Sequence, residues 1–361
     1  MFTRTLRLRR HLRGLLLAGG LLLVQNAFGA TYLTITIQQA TSTTAVSINN
    51  RGQVIGSADC DGYMRDADGK ITMIVVSGAT CTVPTVINNQ GQVAGIATLS
   101  DGSTVGFLRG HQGNITTFAQ PGFGVYVSGI DDDGNVAGGY IGGSFGSLAY
   151  GFRWNEQTGF LLITPPGAHQ VYISGISPGG ILIGNYIAET PYRYFGFLRY
   201  PSGEIVAVGA STGATYTHTL AVNDSGTATG YSTPYDPSTF IKAWVADKGS
   251  SFQNLVIGFP GSNWRAYSIN AAGLVVGSVS QTAGVSRGFM RFADGTERYF
   301  HIPNVVSPYY FAFLAYHVND LNQIVGTYKD SIGAQHGYIR LPTNCLQVNG
   351  LVSDTTAVEG D

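Results

Sequence analysis

Charged side chains are scarce in this chain. Asp, Glu, Lys and Arg make up 11% of its 361 residues, whereas about a quarter is usual for a globular protein. Glycine and tyrosine are abundant instead, with 50 and 20 residues, and 44% of the chain is hydrophobic, enough for a sizeable core. Few charges combined with many glycines and aromatic residues favour an all-β fold with many tight turns.

Long apolar runs are missing, which argues against a membrane-spanning helix. The run LLLAGGLLLV at positions 15–24 has about ten residues and is too short to cross a bilayer. Because five arginines precede it and small residues follow it, we predict that residues 1–30 form a signal peptide that is removed on export. The pair Arg9-Arg10 leaves general secretion and twin-arginine export both open. The sequence therefore predicts a secreted or periplasmic protein without a membrane span.

An excess of basic residues is also absent. Arg4, Arg7, Arg9, Arg10 and Arg13 leave with the signal peptide, so 20 basic residues fall to 15 against 21 acidic ones, a net charge of about −6. A nucleic-acid partner needs a basic protein face to meet its phosphates, and an anionic membrane surface would repel this chain. We expect neither partner, and we expect the mature protein to be a monomer.

Cysteine is scarce as well, with three residues: Cys60, Cys81 and Cys345. An exported chain can form disulfides, and Cys60 and Cys81 flank one predicted hairpin. A bridge between them would contribute roughly 3 kcal/mol on the chain-entropy model. The other interpretation is three unpaired small hydrophobic residues, and Cys345 has no evident partner in either case.

One nine-residue phrase recurs throughout the chain, from INNRGQVIG at Ile48 to VNDLNQIVG at Val318. It occurs seven times, at spacings of 39 to 49 residues. The copies end at these glycines: Gly56, Gly95, Gly138, Gly184, Gly230, Gly277 and Gly326. The Asn suits a turn because its side chain can bond backbone two residues on, and the following Gly supplies a positive φ. Each copy therefore predicts strand, turn and strand.

A second phrase follows each copy of the first at a steady distance. It has the form Gly-Phe-Leu-Arg, as at Gly106 and Gly196, and a turn dipeptide such as Asp294-Gly295 follows it in six copies. Each repeat then contains four short strands in 40 to 50 residues, which is the period of a β-propeller blade. Seven copies predict a seven-bladed β-propeller over residues 31–345, followed by a polar C-terminal tail over 346–361.

The two ends of the predicted propeller are complementary. The last copy has no convincing fourth strand, whereas TYLTITI at Thr31–Ile37 is a strand with no copy of its own. We predict that Thr31–Ile37 pairs with the strand containing Gly337–Arg340, which closes the ring and removes open sheet edges. An open stack of β-sheets is the alternative architecture.

The two phrases resemble the HAF repeat family of bacterial extracellular repeat proteins. The family pattern joins IN-x-x-G-x-x-x-G to a strand that starts with His, a small residue and Phe, and His336-Gly337-Tyr338 matches it best. The other six copies have different residues at the His position: Asp61, Val105, Tyr150, Phe195, Lys242 and Arg287. The resemblance covers nearly the whole mature chain. It implies a secreted or periplasmic propeller-like protein and brings no catalytic residues with it.

Function in a repeat protein must come from residues that differ between copies, and propellers usually bind ligands around the central channel. The residue four positions before the Ile or Val of each phrase differs in this way: Thr44, Val83, Tyr126, Tyr172, His218, Arg265 and Leu314. Tyr126, Tyr172, His218 and Arg265 could together perform proton-transfer chemistry on a sugar acid, with Arg265 holding the carboxylate. An extracellular polysaccharide lyase or hydrolase is therefore one hypothesis. The other is a propeller without catalysis, in which these tyrosines pack between blades or bind a ligand.

Further candidates for ligand binding lie beside these positions or in the predicted loops between second and third strands. They are Trp264, Tyr192, Arg193, Tyr194 and Tyr235. Exposed tyrosines suit sugar stacking or a protein interface, and ordinary loop sequence is the alternative interpretation. We expect the ligand to be a glycan or an extracellular protein.

No cofactor is expected from the sequence. The histidines show no zinc-ligand spacing. The run DDDGN could hold calcium through Asp131, Asp133 and Asn135. It occupies the turn position of the repeat, however, which favours an ordinary turn.

Overall fold

The chain folds into seven antiparallel sheets that form the blades of a β-propeller. The computed structural model describes residues 23–25, 30–142, 148–189, 192–208, 214–234, 240–247, 253–254, 262–281, 286–302 and 313–342, and no helix occurs among them. The predicted fold class is therefore confirmed, with four strands in each of blades 1 to 6. The tail at 346–361 and Cys345 lie outside the described residues.

The strands follow one another from the inner to the outer edge of each blade. The chain starts with β1 (Leu23–Gln25) and β2 (Thr31–Ile35). Blade 1 has β3 (Ser47–Ile48), β4 (Val54–Ala58), β5 (Asp61–Arg65) and β6 (Ile71–Ile74). Blade 2 has β7 (Ala79–Ile87), β8 (Val93–Leu99), β9 (Thr104–Arg109) and β10 (Ile115–Phe118). Blade 3 has β11 (Gly124–Ile130), β12 (Val136–Gly142), β13 (Leu148–Asn155) and β14 (Gly159–Ile163).

Blades 4 to 7 repeat this order. Blade 4 has β15 (Ala168–Ile176), β16 (Leu182–Glu189), β17 (Tyr192–Arg199) and β18 (Ile205–Val208). Blade 5 has β19 (Ala214–Val222), β20 (Ala228–Pro234), β21 (Lys242–Ala246) and β22 (Gln253–Asn254). Blade 6 has β23 (Ser262–Ile269), β24 (Val275–Gln281), β25 (Ser286–Arg291) and β26 (Glu297–Phe300). Blade 7 has β27 (Phe313–Val318), β28 (Ile324–Lys329) and β29 (Gln335–Leu341), followed at its outer edge by β2 and β1.

The repeated phrase forms the hairpin between the first and second strand of every blade. All seven inner strands end at its Ile or Val, and all seven second strands begin two residues after its central Gly or Asn. Gly52 has a φ of 74° in this turn, and Asn322, which replaces the Gly in blade 7, has a φ of 59°. The interpretation of the phrase as strand, turn and strand is confirmed.

The last Gly of each phrase lies directly opposite a fully buried aromatic residue of the third strand. The pairs are Gly56–Tyr63, Gly95–Phe107, Gly138–Phe152, Gly184–Phe197, Gly230–Trp244, Gly277–Phe289 and Gly326–Tyr338. A Cβ atom on Gly230 would lie 1.9 Å from the carbonyl oxygen of His218 on the inner strand. No side chain fits there, so this Gly lets the inner strand approach closely while the aromatic ring covers it.

The Asn of the phrase is present in five of the seven copies, and there it links its turn to the next blade. The Asn49 Oδ1 atom accepts the N–H groups of Arg51 and Gln53, both at 3.0 Å. Its Nδ2 group donates to the carbonyl oxygen of Asn88 at 2.9 Å. The same amide-to-carbonyl bond runs onward from four other copies: Asn88 to Asp131, Asn223 to Asn270, Asn270 to Asn319, and Asn319 to Asn49. Together these bonds form a belt around one end of the channel.

Blades 3 and 4 lack this Asn and are joined differently. Asp131 and Ser177 occupy its position, and neither side chain has an amide group to donate. Blade 3 instead donates the Asp132 backbone N–H to the Pro178 carbonyl oxygen at 3.0 Å. Blade 4 donates the Gly179 N–H to Asp224 Oδ1 at 2.7 Å. Every neighbouring pair of blades is thus bonded at this end of the channel.

The two ends of the propeller pair as predicted. Strand β2 lies antiparallel to β29, with a register that runs from Thr31 opposite Leu341 to Ile35 opposite Gly337. Thr43 strengthens this closure, because its hydroxyl donates to the Ile35 carbonyl oxygen at 2.9 Å and accepts the Gly337 N–H at 3.0 Å. The strand ends at Ile35 rather than at Ile37. The chain turns at Ile37–Ala40, where the Ala40 N–H donates to the Ile37 carbonyl oxygen.

A disulfide joins Cys60 to Cys81. Cys60 lies in the turn between β4 and β5 of blade 1, and Cys81 lies in the inner strand β7 of blade 2. The Thr82 N–H also donates to the Cys60 carbonyl oxygen at 2.9 Å. Of the two interpretations of these cysteines, the bridge is the one observed, and it holds two neighbouring blades together.

Candidate functional site

The inner strands share an irregularity that faces the channel. In blades 2 to 7 the register with the second strand shifts at the same place, two residues before the Ile or Val of the phrase. The extra residues of these bulges all line the channel cavity: Thr85, Ser128, Ser174, Leu220, Tyr267 and Tyr316. Because a bulge re-aims side chains, the same backbone feature presents a different group from each blade.

The channel is asymmetric in shape. Its cavity has a volume of about 500 Å³, within the range of small-molecule sites. Blades 2 to 4 contribute the small residues Thr85, Ser128 and Ser174, whereas blades 6 and 7 contribute the rings of Tyr267 and Tyr316. The open space therefore lies on the side of blades 2 to 4.

Tyr126 and Tyr172, two of the predicted catalytic residues, have polar neighbours for their hydroxyls. The Tyr126 hydroxyl accepts the Ile173 N–H of the next blade at 3.0 Å, and burial raises its pKa well above the usual value. The Tyr172 hydroxyl donates to Gln170 Oε1 at 2.7 Å. Tyr126 is therefore placed as a packing residue between blades 3 and 4, the non-catalytic alternative for a Tyr at this position.

His218 and Arg265, the other two predicted catalytic residues, meet around Tyr231. The imidazole of His218 stacks on the Tyr231 ring, with centroids 4.5 Å apart and an interplanar angle of 20°. Arg265 Cζ lies 5.3 Å from the centroid of the same ring, a cation–π arrangement. Burial lowers the pKa of His218, and the positive charge of Arg265 lowers it further, so the imidazole is neutral at pH 7.

Four more tyrosines extend this cluster in both directions. Tyr194 meets the Tyr216 ring edge-on at 4.8 Å between centroids and lies 6.4 Å from the His218 ring. On the other side Tyr267 is hydrogen-bonded to Arg265, and its ring is 6.0 Å from that of Tyr316. We call the whole set the aromatic wall: Tyr194, Tyr216, His218, Tyr231, Arg265, Tyr267 and Tyr316. It runs from blade 4 to blade 7.

Sequence analysis selected His218, Arg265 and Tyr194 of the wall and missed Tyr216, Tyr267 and Tyr316. Tyr267 and Tyr316 stand two residues before the Ile or Val of their phrases, so the same counting that selected His218 and Arg265 could have found them. Tyr216 lies two residues before His218 on β19 and is 39% exposed. Alternation along a strand places such residues on one face.

The predicted ligand-binding residues fall in different environments. Trp264 is 4% exposed and packs against Phe289 and Tyr299 in the core of blades 5 and 6, so it offers almost no surface to a ligand. Only the backbone of Tyr192 and Arg193 is described, and Tyr235 lies outside the described residues.

The predicted loop of blade 4 is mostly strand. Strand β16 ends at Glu189 and strand β17 begins at Tyr192, so Tyr194 lies within β17. Its position in a strand, rather than in a loop, is what directs its ring toward Tyr216 of the next blade.

Asp131 is committed to the turn of its repeat. Its carboxylate accepts the Asn135 N–H at 2.8 Å and the Asn135 side-chain amide at 2.7 and 2.9 Å. Burial raises its pKa. Among the residues that the structure describes, no group of three or more His, Cys, Asp or Glu is arranged to hold a metal ion. In the same part of the chain, no helix is long and apolar enough to cross a membrane.

Comparison with known proteins identifies the fold but no family. No protein-family model and no curated sequence matches the chain. A streptogramin B lyase structure matches with a TM-score of 0.57 and 10% identity, covering 87% of this chain and 99% of that one. An inactive virginiamycin B lyase from Staphylococcus aureus with quinupristin matches with a TM-score of 0.56 and 13% identity, covering 86% and 99%.

A structure of prolyl endopeptidases also matches, with a TM-score of 0.57 and 10% identity, covering 90% of this chain and 48% of that one. At these identities the likeness shows the propeller fold alone. Lyases and peptidases share this architecture, so the function of this chain has to be argued from its own site.

Proposed function

We propose that the protein is an exported propeller that binds a glycan at the aromatic wall. The observation that carries the proposal is the stack of His218 on Tyr231, with Arg265 over the same ring and Tyr216 exposed beside it. Aromatic side chains with a polar edge suit sugars, because the ring covers an apolar sugar face while hydroxyl, imidazole and guanidinium groups bond its oxygens.

The shape of the site favours a glycan over a protein partner. Most wall residues are half-buried, and Tyr267 and Tyr316 also line the channel cavity. A stable protein interface needs about 800 Å² from each partner, whereas a concave site with a few convergent polar groups suits a slender ligand.

An extracellular or periplasmic location is part of this proposal, and two features support it. The basic head and short apolar run at positions 1–24 have the form of an export signal. The bridge between Cys60 and Cys81 is compatible with an oxidising compartment. The seven copies of the phrase support our further proposal that the chain is a HAF-type extracellular repeat protein.

A polysaccharide lyase or hydrolase is the second candidate function. It is favoured by one observation: His218 and Arg265 lie against the same Tyr231 ring, and burial together with the charge of Arg265 lowers the pKa of His218. A neutral imidazole can accept a proton next to a carboxylate that an arginine holds. Tyr126 drops out of this hypothesis because its hydroxyl is occupied by backbone, and Tyr172 and Tyr231 remain as acid candidates.

The test is a glycan array on the purified mature protein, followed by titration calorimetry with each hit. We expect Tyr231→Ala to weaken binding at least tenfold, about 1.4 kcal/mol. Tyr150→Ala is the matched control, since Tyr150 is a half-exposed tyrosine on blade 3, away from the wall. Equal affinity of the two variants would refute the site, and a protein ligand with no glycan hit would refute the glycan.

The same samples distinguish binding from catalysis. A lyase leaves an unsaturated sugar that absorbs in the ultraviolet, and a hydrolase releases new reducing ends. Absorbance and reducing sugar are therefore both followed during incubation with uronic-acid polymers. Turnover that is lost in His218→Ala and Arg265→Ala would establish the enzyme. Binding with no turnover would establish the simple binding propeller.

A further inference from the structure

We propose that the ligand of the aromatic wall is an acidic glycan, whose carboxylate is held by Arg265 while its acidic unit lies in the channel beside Tyr267 and Tyr316. This inference rests on the proposed function and adds to it the chemical class of the ligand, a uronic-acid saccharide, and the place of its charged group.

The backbone fixes the base of the Arg265 side chain. Its carbonyl oxygen packs against Gly277, where a Cβ atom would come within 2.0 Å of it. Two residues after Arg265, the bulge between Ala266 and Ser268 turns the side chain of Tyr267 toward the channel. Because of this bulge, a residue of the same strand can hydrogen-bond the guanidinium group from the channel side.

Two tyrosines then orient the guanidinium. Arg265 Cζ lies over the ring of Tyr231 in blade 5, and the hydroxyl of Tyr267 in blade 6 is hydrogen-bonded to the guanidinium group. A guanidinium is a rigid fork of five N–H donors that matches the two oxygens of a carboxylate. Holding the fork in place before the ligand arrives reduces the entropy lost on binding.

The charge distribution favours an anion at this end of the channel. The wall has one formal charge, that of Arg265, and the field of this charge acts on both His218 and Tyr267. At the opposite mouth the third residue of the phrase is acidic in three blades, with Asp132, Asp224 and Asp320 lining the cavity. An anionic ligand is therefore attracted from the side of the wall and repelled from the other side.

The channel has room for the acidic unit opposite the tyrosines. Tyr267 belongs both to the wall and to the lining of the cavity of about 500 Å³. The facing residues Ser128 and Ser174 are small, and their hydroxyls bond the Ala137 carbonyl oxygen and the Asn185 amide of their own blades. A sugar ring that reaches down from the wall can enter this space without displacing a large side chain.

The test compares acids with matched neutral compounds. Trisaccharides of galacturonate, glucuronate and mannuronate are titrated into the mature protein beside their methyl esters, in which each carboxylate is replaced by an uncharged ester that is one methyl group larger. We expect at least one acid to bind tenfold or more tightly than its ester. Arg265→Gln should remove this preference, because it weakens binding of the acid more than binding of the ester.

Tyr267→Phe tests the positioning role. It keeps the ring and removes the hydroxyl, so we expect it to reduce the acid-to-ester affinity ratio severalfold. Arg265→Lys keeps the charge and should restore the ratio only in part, because an ammonium group is not a fork. A ratio unaffected by Tyr267→Phe and fully restored by Arg265→Lys would overturn the orienting geometry.

Ser128→Phe tests entry into the channel. An added ring there should weaken binding of the acid at least tenfold, whereas Ser202→Phe, in an exposed turn of blade 4, serves as the control for adding a phenyl group. If the Ser128→Phe protein does not melt like the wild type, Ser174→Phe is used in its place. Unchanged affinity in the narrowed channel would show that the acidic unit stays outside it.

The possible outcomes separate the two proposals. Binding of neutral glycans with no preference for any acid over its ester would overturn the acidic ligand and leave the glycan-binding wall intact. Absence of binding to every saccharide, neutral or acidic, would overturn the proposed function itself.

Discussion

The side-chain amide of Asn319 donates to the carbonyl oxygen of Asn49 at 2.8 Å, across the junction where the last blade meets the first. The two residues are 270 positions apart in the chain. The same type of bond joins blades 1 and 2 through Asn49 and Asn88. The junction of the chain ends is therefore built like the continuous junctions of the ring.

Asn319→Ala should lower the free energy of unfolding by about 1–3 kcal/mol, because it leaves a buried carbonyl group and two turn N–H groups without their partner. Urea denaturation measures this change. Asn114→Ala, in an exposed turn of blade 2, is the control and should cost less than about 0.5 kcal/mol. Equal effects of the two substitutions would show that the belt of amides adds nothing to stability.

Gly230→Ala should destabilise the protein by about 3 kcal/mol or more, because the new methyl group would overlap the His218 carbonyl oxygen and force the inner strand away. Thermal melting followed by circular dichroism reports the loss. Gly124→Ala is the matched control, since the nearest atom to its added Cβ is 3.6 Å away. A Gly230→Ala protein that melts with the control would contradict the close approach of the strands.

Ring closure predicts a sharp fall in melting temperature when Thr31–Gln38 is deleted or Ile35 is replaced by Pro. Ile35 is buried and paired with Gly337, and Pro cannot donate to a strand ladder. Gln38→Pro is the control, because Gln38 precedes Gln39, whose φ is 70°, in a turn where Pro is favoured. If Ile35→Pro and Gln38→Pro melt alike, the pairing of β2 with β29 does not hold the ring together.

We expect protonation of His317 to lower the stability of the protein in mild acid. Its Nδ1 atom accepts the Ile48 N–H at 3.3 Å across the closing junction, and burial lowers its pKa to about 4. The unfolded chain, with an ordinary histidine pKa near 6.5, binds the proton more readily. The unfolding free energy should therefore be constant above about pH 6.5 and fall by roughly 1–3 kcal/mol as the pH decreases toward 4.

Urea titrations at a series of pH values test this expectation. His317→Asn keeps a hydrogen-bonding group without the titration, so its stability should change less between pH 6.5 and 4 than that of the wild type. Parallel curves for the two proteins would show that His317 is not the group responsible.

Most of the blade architecture could be predicted from the sequence because it rests on local chemistry. The turn at Gly52 needs a positive φ, and the Asn before it needs a backbone N–H two residues on. Both requirements lie within one phrase. The pairing of Thr31–Ile35 with β29 could also be predicted, because a strand without a repeat complements a repeat without its fourth strand.

The candidate site was only partly predictable because its members are neighbours in space rather than in sequence. Counting along the phrase aligned His218 with Arg265, but it treated each inner strand as regular. The bulge of β23 changes which side chains face the channel and adds Tyr267 to the site. Trp264 was misjudged for a related reason: adjacent residues of a strand point to opposite faces, and its face is the core.

The sequence by itself determined the number of blades, the position of each turn and the way the ring closes, since these depend on repeated glycines, asparagines and apolar residues within one unit. The tertiary structure alone decided which of the varying residues converge. The circular order of blades brings Tyr194, His218 and Arg265 from three different blades to one wall. Their chemistry depends on burial and mutual distance, which no single repeat contains.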